Sequence, residues 1–415
     1  MTNTVPIAIV PPTQDADQAL VGRTVALLHH NGESTAVTLT AVDRLNTGLG
    51  TTFELLPGWA SLTLLDGPTR PFVTAAPPSA VTMRAVALTM SAVDRIGNRQ
   101  AGRAELKHAL DRASAARPAN TALFVLACAT GAAALSIIFG VQDSPAVLLV
   151  ALSAALGGLA RRFLGRVGIG AIGQVFAAAF LAGIIGGIAV NADLSSALRL
   201  IAVCPAMILV PGPHILNGTL DLLALRIPLG FARLGYAAVI LVSIASGLGI
   251  ALALFGTGLP VEPAGRDIPF WLDVLAAAIA AASYSIYFAM PYRLILWPVA
   301  VGAVAHGLHW WALTAGINVA AAALLSCLLV GVVLAPVAHR LHIPFAAVAF
   351  ASVVSLVPGV LVFRMLDAAA SLAFGGPDSA LIGAATDGAT AILIVLAMAV
   401  GLSVPTHLYG RIIAR

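Results

Sequence analysis

Few side chains in this sequence can do chemistry, and several of them stand in apolar surroundings. Asp387 has no Asp, Glu, Lys or Arg beside it between Asp378 and Arg411. It lies about seven residues into an apolar run, roughly 10 Å deep at 1.5 Å per residue. A carboxylate at the centre of a spanning helix costs about 2.5–3.5 kcal/mol on insertion scales, so it must face a cavity or a partner. In such a place it can carry a proton or contact an ammonium group. Arg233 opens another apolar run and reads either as a clamp for a carboxylate or as a cation snorkelling to the surface. Arg364 and Asp367 stand three residues apart and can pair within one helix. His214, Asn217 and Asp221 fall at i, i+3 and i+7, on one face of a helix. An imidazole there can bind a carboxylate or relay a proton. The amide and the carboxylate suit an ammonium or hydroxyl group, although Asp221 can instead pair with Arg226.

The His214 group directly follows Leu209-Val210-Pro211-Gly212-Pro213, in the middle of an apolar run. Proline removes a backbone donor and clashes with the preceding turn, and glycine loosens what remains. In hydrocarbon the freed amides and carbonyls meet no water, so such a break persists only where it is buried in protein or lines a cavity. The letters LVPG return at Leu356-Val357-Pro358-Gly359, again inside an apolar run. A kink in a packed helix is the plain reading of one such site. Two of them at matching places in two halves of a chain point to a transporter's binding site, at Pro211, Gly212, Pro358 and Gly359.

Composition sets the class. Of the 415 residues 60% are hydrophobic and 10% charged, and the mean hydropathy is +0.98. Soluble chains carry about 25% charged residues, so this is a polytopic membrane protein from about residue 120 onward. The net charge of +4 is small and its basic residues lie in short clusters between apolar runs, which points to orientation signals and not to nucleic acid. Cys128, Cys204 and Cys327 all sit in apolar runs and read as packing residues. No metal or cofactor spacing is present. His306 and His309 beside Trp310-Trp311 read as part of an aromatic interfacial belt, and Arg161-Arg162 as orientation charges. Residues 1–30 lack a basic start followed by an apolar core, so the amino-terminal region is expected in the cytoplasm.

The elements that must position these groups follow in order. Residues 1–17 are expected to be disordered, and 18–117 to form a small cytoplasmic α+β domain. In that domain periodicity predicts a helix from Glu33 to Leu49, strands at Thr52–Leu56, Trp59–Leu65 and Arg70–Ala75, a turn at Asp66-Gly67-Pro68, and helices at Met83–Ile96 and Gly102–Ala115. Lys107 and Asp111 stand one turn apart on the last of these. Ten spans of roughly 20 residues follow: 121–141, 145–164, 168–190, 198–220, 230–255, 269–290, 293–312, 316–338, 344–365 and 380–404. The even loops and the carboxyl terminus hold nine Arg: Arg161, Arg162, Arg166, Arg226, Arg233, Arg293, Arg340, Arg411 and Arg415. The odd loops hold three, Arg199, Arg266 and Arg364, so both termini are expected in the cytoplasm.

The halves 118–260 and 261–415 repeat each other. Ala134–Phe139 matches Ser283–Phe288 at an offset of 149, Gly168-Ile169 matches Gly316-Ile317 at 148, LVPG recurs at 147, and Gly230 with Gly235 matches Gly383 with Gly388 at 153. Five spans per half is odd, so the second half must enter the membrane upside down. The expected fold is therefore all-α and polytopic, with ten spans as two inverted five-helix repeats behind a small α+β domain.

With both LVPG breaks and the spans in place, the chain resembles the threonine/serine exporter family of bacterial membrane proteins over most of residues 32–404. The residues that carry the resemblance are PG followed by Asn217 and Asp221-Leu222-Leu223, then Gly230-Phe231-Ala232-Arg233-Leu234, the second LVPG, the glycine-rich tenth span, and Pro77-Pro78-Ser79 running into Met83-Arg84. Leu220 and Tyr236 depart from the family's usual Arg and acidic residue. The resemblance implies a secondary transporter of the bacterial inner membrane, with no enzymatic activity, exporting small hydrophilic metabolites. These are threonine or serine in some members and dicarboxylates in others. Proton coupling, antiport and assembly as a homo-oligomer are compatible with this reading. A passive channel, or a membrane protein whose soluble domain is regulatory or enzymatic, are the alternatives.

Overall fold

The structure is a computed structural model that describes residues 12–66, 71–77, 81–141, 143–192, 200–256, 268–341, 345–373 and 375–413. The turn at Gly67-Pro68, the Pro78-Ser79 step, and Arg199, Arg266 and Arg415 lie outside the described residues. Those described form two compact units, one up to Ala116 and one from Arg117 onward.

The first unit combines four helices with a small sheet. Helix α1 (Pro12–His30) begins inside the stretch expected to be disordered, and its Asp17 is buried against Arg103 by two hydrogen bonds of 2.6 and 2.7 Å. Gly22 interrupts the apolar periodicity of α1 because the Phe72 ring packs there; a Cβ would come within 2.4 Å of it. Helix α2 (Thr35–Leu49) starts where the Ser34 hydroxyl accepts from the Val37 amide, and it stops at Gly50 in the left-handed region, φ 73°. Strands β1 (Phe53–Pro57), β2 (Ser61–Asp66) and β3 (Pro71–Ala75) pair antiparallel in that order, with Leu55 opposite Leu64 and Leu64 opposite Phe72. Helices α3 (Met83–Gly97) and α4 (Arg103–Ser114) complete the unit. Leu28, Leu45, Leu62, Val93, Leu106 and Leu110 meet in its core. Asp111 pairs with Arg23 at 2.6 Å and not with Lys107, because a contact across helices is available.

The second unit is helical throughout. Helices α5 (Thr121–Ile138), α6 (Ser144–Arg166) and α7 (Ala171–Asn191) lead to α8 (Leu200–Met207) and α9 (Gly212–Leu223), then α10 (Ile227–Ala253). The later half has α11 (Phe270–Tyr287), a 3-10 turn at Tyr292–Leu294, α12 (Leu296–Thr314) and α13 (Val319–Leu341). It continues with α14 (Phe345–Val353), a 3-10 turn at Val354–Leu356, α15 (Gly359–Ala373) and α16 (Ser379–Ile413). Among the described residues eight helices are long and apolar enough to cross a membrane, or ten if each bent pair counts as one span. The bent pairs are α8 with α9, at 59°, and the 347–356 segment with α15, at 64°.

Packing follows a pattern in which each half uses corresponding partners. Helix α7 packs on α10 and α13 on α16, α6 packs on α8 and α12 on α14, and α9 packs on α10 and α15 on α16; α5 meets α11 across the halves. Small residues bring the backbones close, as membrane interfaces require. A Cβ on Gly247 would stand 2.5 Å from the Phe176 carbonyl oxygen, and one on Gly401 would stand 2.9 Å from that of Leu324.

Candidate functional site

The two LVPG segments are built alike. Pro211 sits at φ −81°, ψ 56°, the centre of an inverse γ-turn closed by the Gly212 amide donating to the Val210 carbonyl at 2.9 Å. At the second segment the Gly359 amide donates to the Val357 carbonyl at 2.8 Å. Proline is therefore followed in each case by an amide satisfied two residues back. Fewer backbone donors face outward than the proline-glycine letters alone imply.

The two breaks face one another. A Cβ on Gly359 would meet Met207 at 3.3 Å and Val210 at 3.7 Å, and one on Gly212 would overlap the Phe350 ring. Between them lies a small cavity of about 10 Å³ bordered by Met207 and Val210 on one side and Val354, Val357 and Gly359 on the other. Tyr284 forms a further wall, its hydroxyl donating to the Met207 carbonyl at 3.3 Å. A neighbouring space of about 20 Å³ touches Gly212, Phe350 and Val357. Both are lined mainly by apolar groups.

The charged residues expected at the site are not at the breaks. Asp221 follows Gly212 by nine residues, roughly 13 Å along α9. It accepts from Arg226 at 3.3 Å and pairs with Arg233 at 3.1 Å. Arg233 is 2% exposed, so it does not snorkel; its partner on α9 holds it inside. Arg364 on α15 pairs with Asp387 on α16 at 3.0 Å instead of with Asp367. Asp387 is thus not isolated. Each ion pair ties the half-helix after a break to the long helix that follows, with the signs exchanged: the carboxylate is on α9 in one and on α16 in the other. Breaking a buried pair by removing one partner costs about 3–5 kcal/mol, which applies to Asp221–Arg233; Arg364 is only half-buried. His214 packs its ring edge-on to Tyr236, centroids 4.9 Å apart, and His214 and Asn217 are both buried.

Two clusters escaped the sequence reading. His306 and His309 are each 2% exposed, which rules out an interfacial belt. The His306 ring bridges Asp273 on α11, 3.1 Å from Nε2, and Ser355 in the turn of the second break, 3.0 Å from Nδ1. An HxxH beside two tryptophans looks interfacial by letters; a lone Asp273 in an apolar helix was the available signal. Arg161 is the other case. It does not reach outward but donates to the Tyr287 hydroxyl and lies over the Tyr287 and Phe124 rings, 5.5 and 5.8 Å from their centroids. Among the described residues no group of three or more His, Cys, Asp or Glu could hold a metal ion.

Comparison with known families agrees with this architecture. A threonine/serine exporter model matches residues 19–255, and a second one, described as Threonine/Serine exporter, ThrE, matches residues 273–408. The chain belongs to the threonine/serine exporter family. The first match ends just after α10 and the second begins within α11, where the second set of helices starts. No solved structure matches the chain.

Proposed function

We propose that this exporter is a secondary transporter that carries a small polar amino acid, threonine or serine in type, out of the bacterial cytoplasm across the inner membrane. The observation that carries the reading is that both LVPG breaks border the same small spaces in a chain of this family. Pro211, Gly212, Pro358 and Gly359 form the break walls, and the two halves act as inverted repeats that rock about them with both termini in the cytoplasm. The matched packing partners of the halves support the repeat. So do Gly183 and Gly331, 148 residues apart, which meet α10 and α16. Asp221–Arg233 and Arg364–Asp387 act as ties between each half-helix and its neighbour, with His214 and Asn217 on the inner face of α9.

Proton coupling is assigned to the Asp273–His306–Ser355 chain, because Asp387 already has Arg364 as its partner. Residues 18–117 serve as a cytoplasmic accessory domain. Counterflow in proteoliposomes tests the reading. Threonine or serine trapped inside is expected to accelerate uptake of the labelled amino acid, and absence of acceleration by any amino acid or dicarboxylate would refute export. A dicarboxylate cargo is the second reading, favoured by the adjacent guanidiniums of Arg161 and Arg162, neither of which has a carboxylate within ion-pair distance among the described residues.

A further inference from the structure

We propose that Arg161 is the docking point for the carboxylate of the transported molecule, in a cavity walled by the first break. The proposal rests on the transport reading above and names the group that recognises the cargo.

The argument begins with counter-charges. Arg226 and Arg233 have Asp221, and Arg364 has Asp387. Arg161, on α6 inside the helical unit, has no carboxylate within ion-pair distance among the described residues. Its Nη1 donates to the neutral Tyr287 hydroxyl, and its Nε is buried with no hydrogen-bond partner. A guanidinium in apolar protein is costly without an anion, and ionisable groups inside membrane segments mark substrate pathways. The neighbouring Arg162 also has a buried Nε with no partner among the described residues, but its Nη2 is engaged. It donates to the Ala119 carbonyl at 2.8 Å and stacks on Phe124 at 4.1 Å, which fits an anchor at the start of α5.

The second observation is the cavity itself. A space of about 10 Å³ lies against Arg161, bordered by Ser153, Gly157, Gly158, Pro205 and Leu209; it has room for about one water, so the helices must part for a carboxylate to enter. Ser153 is 1% exposed and its hydroxyl has no partner. Hydroxyls in helices here ordinarily turn back on their own chain: Ser283, Ser285, Ser326 and Ser352 each donate to the carbonyl four residues earlier. Ser153 does not. Two donors without acceptors, one of them cationic, therefore border the same space. Gly157 and Gly158 keep that wall low; a Cβ on Gly158 would meet the Cys128 sulfur at 3.2 Å.

A carboxylate answers both needs, since it accepts several hydrogen bonds and pairs with the fork of a guanidinium. The rings of Tyr287 and Phe124 hold the guanidinium of the half-buried Arg161. Pro205 and Leu209 belong to α8 and its break, so a carboxylate seated here touches the element whose bend defines the transport site.

The test uses the full chain in proteoliposomes with labelled threonine. Competitors are threonine, its amino alcohol without the carboxylate, 3-hydroxybutyrate without the ammonium, and succinate. In the wild type the amino alcohol is expected to compete at least about tenfold worse than threonine. Arg161→Gln is expected to weaken threonine by at least about tenfold and to erase its advantage over the amino alcohol, whereas Arg161→Lys keeps part of it. Ser153→Ala weakens threonine by roughly two- to fivefold. Equal competition by the amino alcohol in the wild type overturns the proposal, as does Arg161→Gln with unchanged threonine affinity or with an equal loss for both compounds. If Arg161→Gln does not fold, the wild-type competition and Ser153→Ala decide. A wild type that exchanges succinate but no amino acid sinks the amino-acid reading and leaves Arg161 to be judged on succinate. A wild type that exchanges nothing sinks both.

Discussion

Replacing Gly212 by alanine tests whether the first break packs on helix α14. By helix propensity the change should help, because glycine costs about 0.5–1 kcal/mol relative to alanine inside a helix. The structure sets the opposite sign. The new Cβ would lie 1.8 Å from the Phe350 Cζ and 2.1 Å from Cε2. The ring tip must retreat by roughly 1.6 Å to regain ordinary contact in a close-packed interior. Phe350 is 3% exposed and has Tyr284 and Phe288 beside it, centroids 6.3 and 5.9 Å away, so it has little room to move. Overpacking of this kind costs about 1–3 kcal/mol. Gly359→Ala has its nearest contact at 3.3 Å, with the flexible end of Met207, and meets Val210 at an ordinary 3.7 Å, so it should cost less than about 1 kcal/mol. Thermal unfolding in detergent, followed by dye binding, and counterflow in proteoliposomes report the two effects. Gly212→Ala should lower both, Gly359→Ala should change them little, and Phe350→Leu should recover part of the Gly212→Ala loss. A Gly212→Ala protein as stable and active as the wild type, with no coupling to Phe350→Leu, would refute the packing of the first break on α14.

Three further outcomes follow from geometry. Asp221→Asn leaves Arg226 and Arg233 without their carboxylate and should destabilise by about 3–5 kcal/mol, with much of the loss recovered in Asp221→Asn/Arg233→Leu; denaturation of the double-mutant cycle measures it. His306→Gln should abolish stimulation of net transport by a pH gradient while counterflow at equal pH persists, and an unchanged response to the gradient would remove His306 from coupling. Gly48→Ala would put a Cβ 2.2 Å from the Ile96 carbonyl oxygen, a backbone atom that cannot swing aside, so solubility and limited proteolysis of the full chain should both show the amino-terminal unit loosened by about 1–3 kcal/mol.

The sequence was most legible where one residue type breaks a rule of its surroundings. Pro211-Gly212 and Pro358-Gly359 stood out because nothing apolar needs them, and the bends are there. Ser34 and Gly50 bound α2 through local chemistry, within two residues of the expected limits. Charges were visible as charges, but their partners were not. Arg364 chooses Asp387 over the nearer Asp367 because two helices meet side by side, which no spacing along one helix encodes. Arg161 was read as an orientation signal because a basic pair at a helix end fits that rule, and only the Tyr287 contact reveals that one of the pair turns inward. Helix α1 was missed because Gly22 interrupts its pattern for the sake of Phe72, a residue fifty positions away in sequence.

The exchanged signs of the two ion pairs bear on how membrane voltage acts. Each pair is neutral and joins a half-helix to the helix after it. A conformational step that keeps both closed moves no net charge of these two pairs through the field. A step that opened either one would drag a lone charge across part of the field, at up to about 2.3 kcal/mol per 100 mV for a full crossing. The steepness with which turnover changes with voltage therefore reads out whether the ties stay shut while the breaks move.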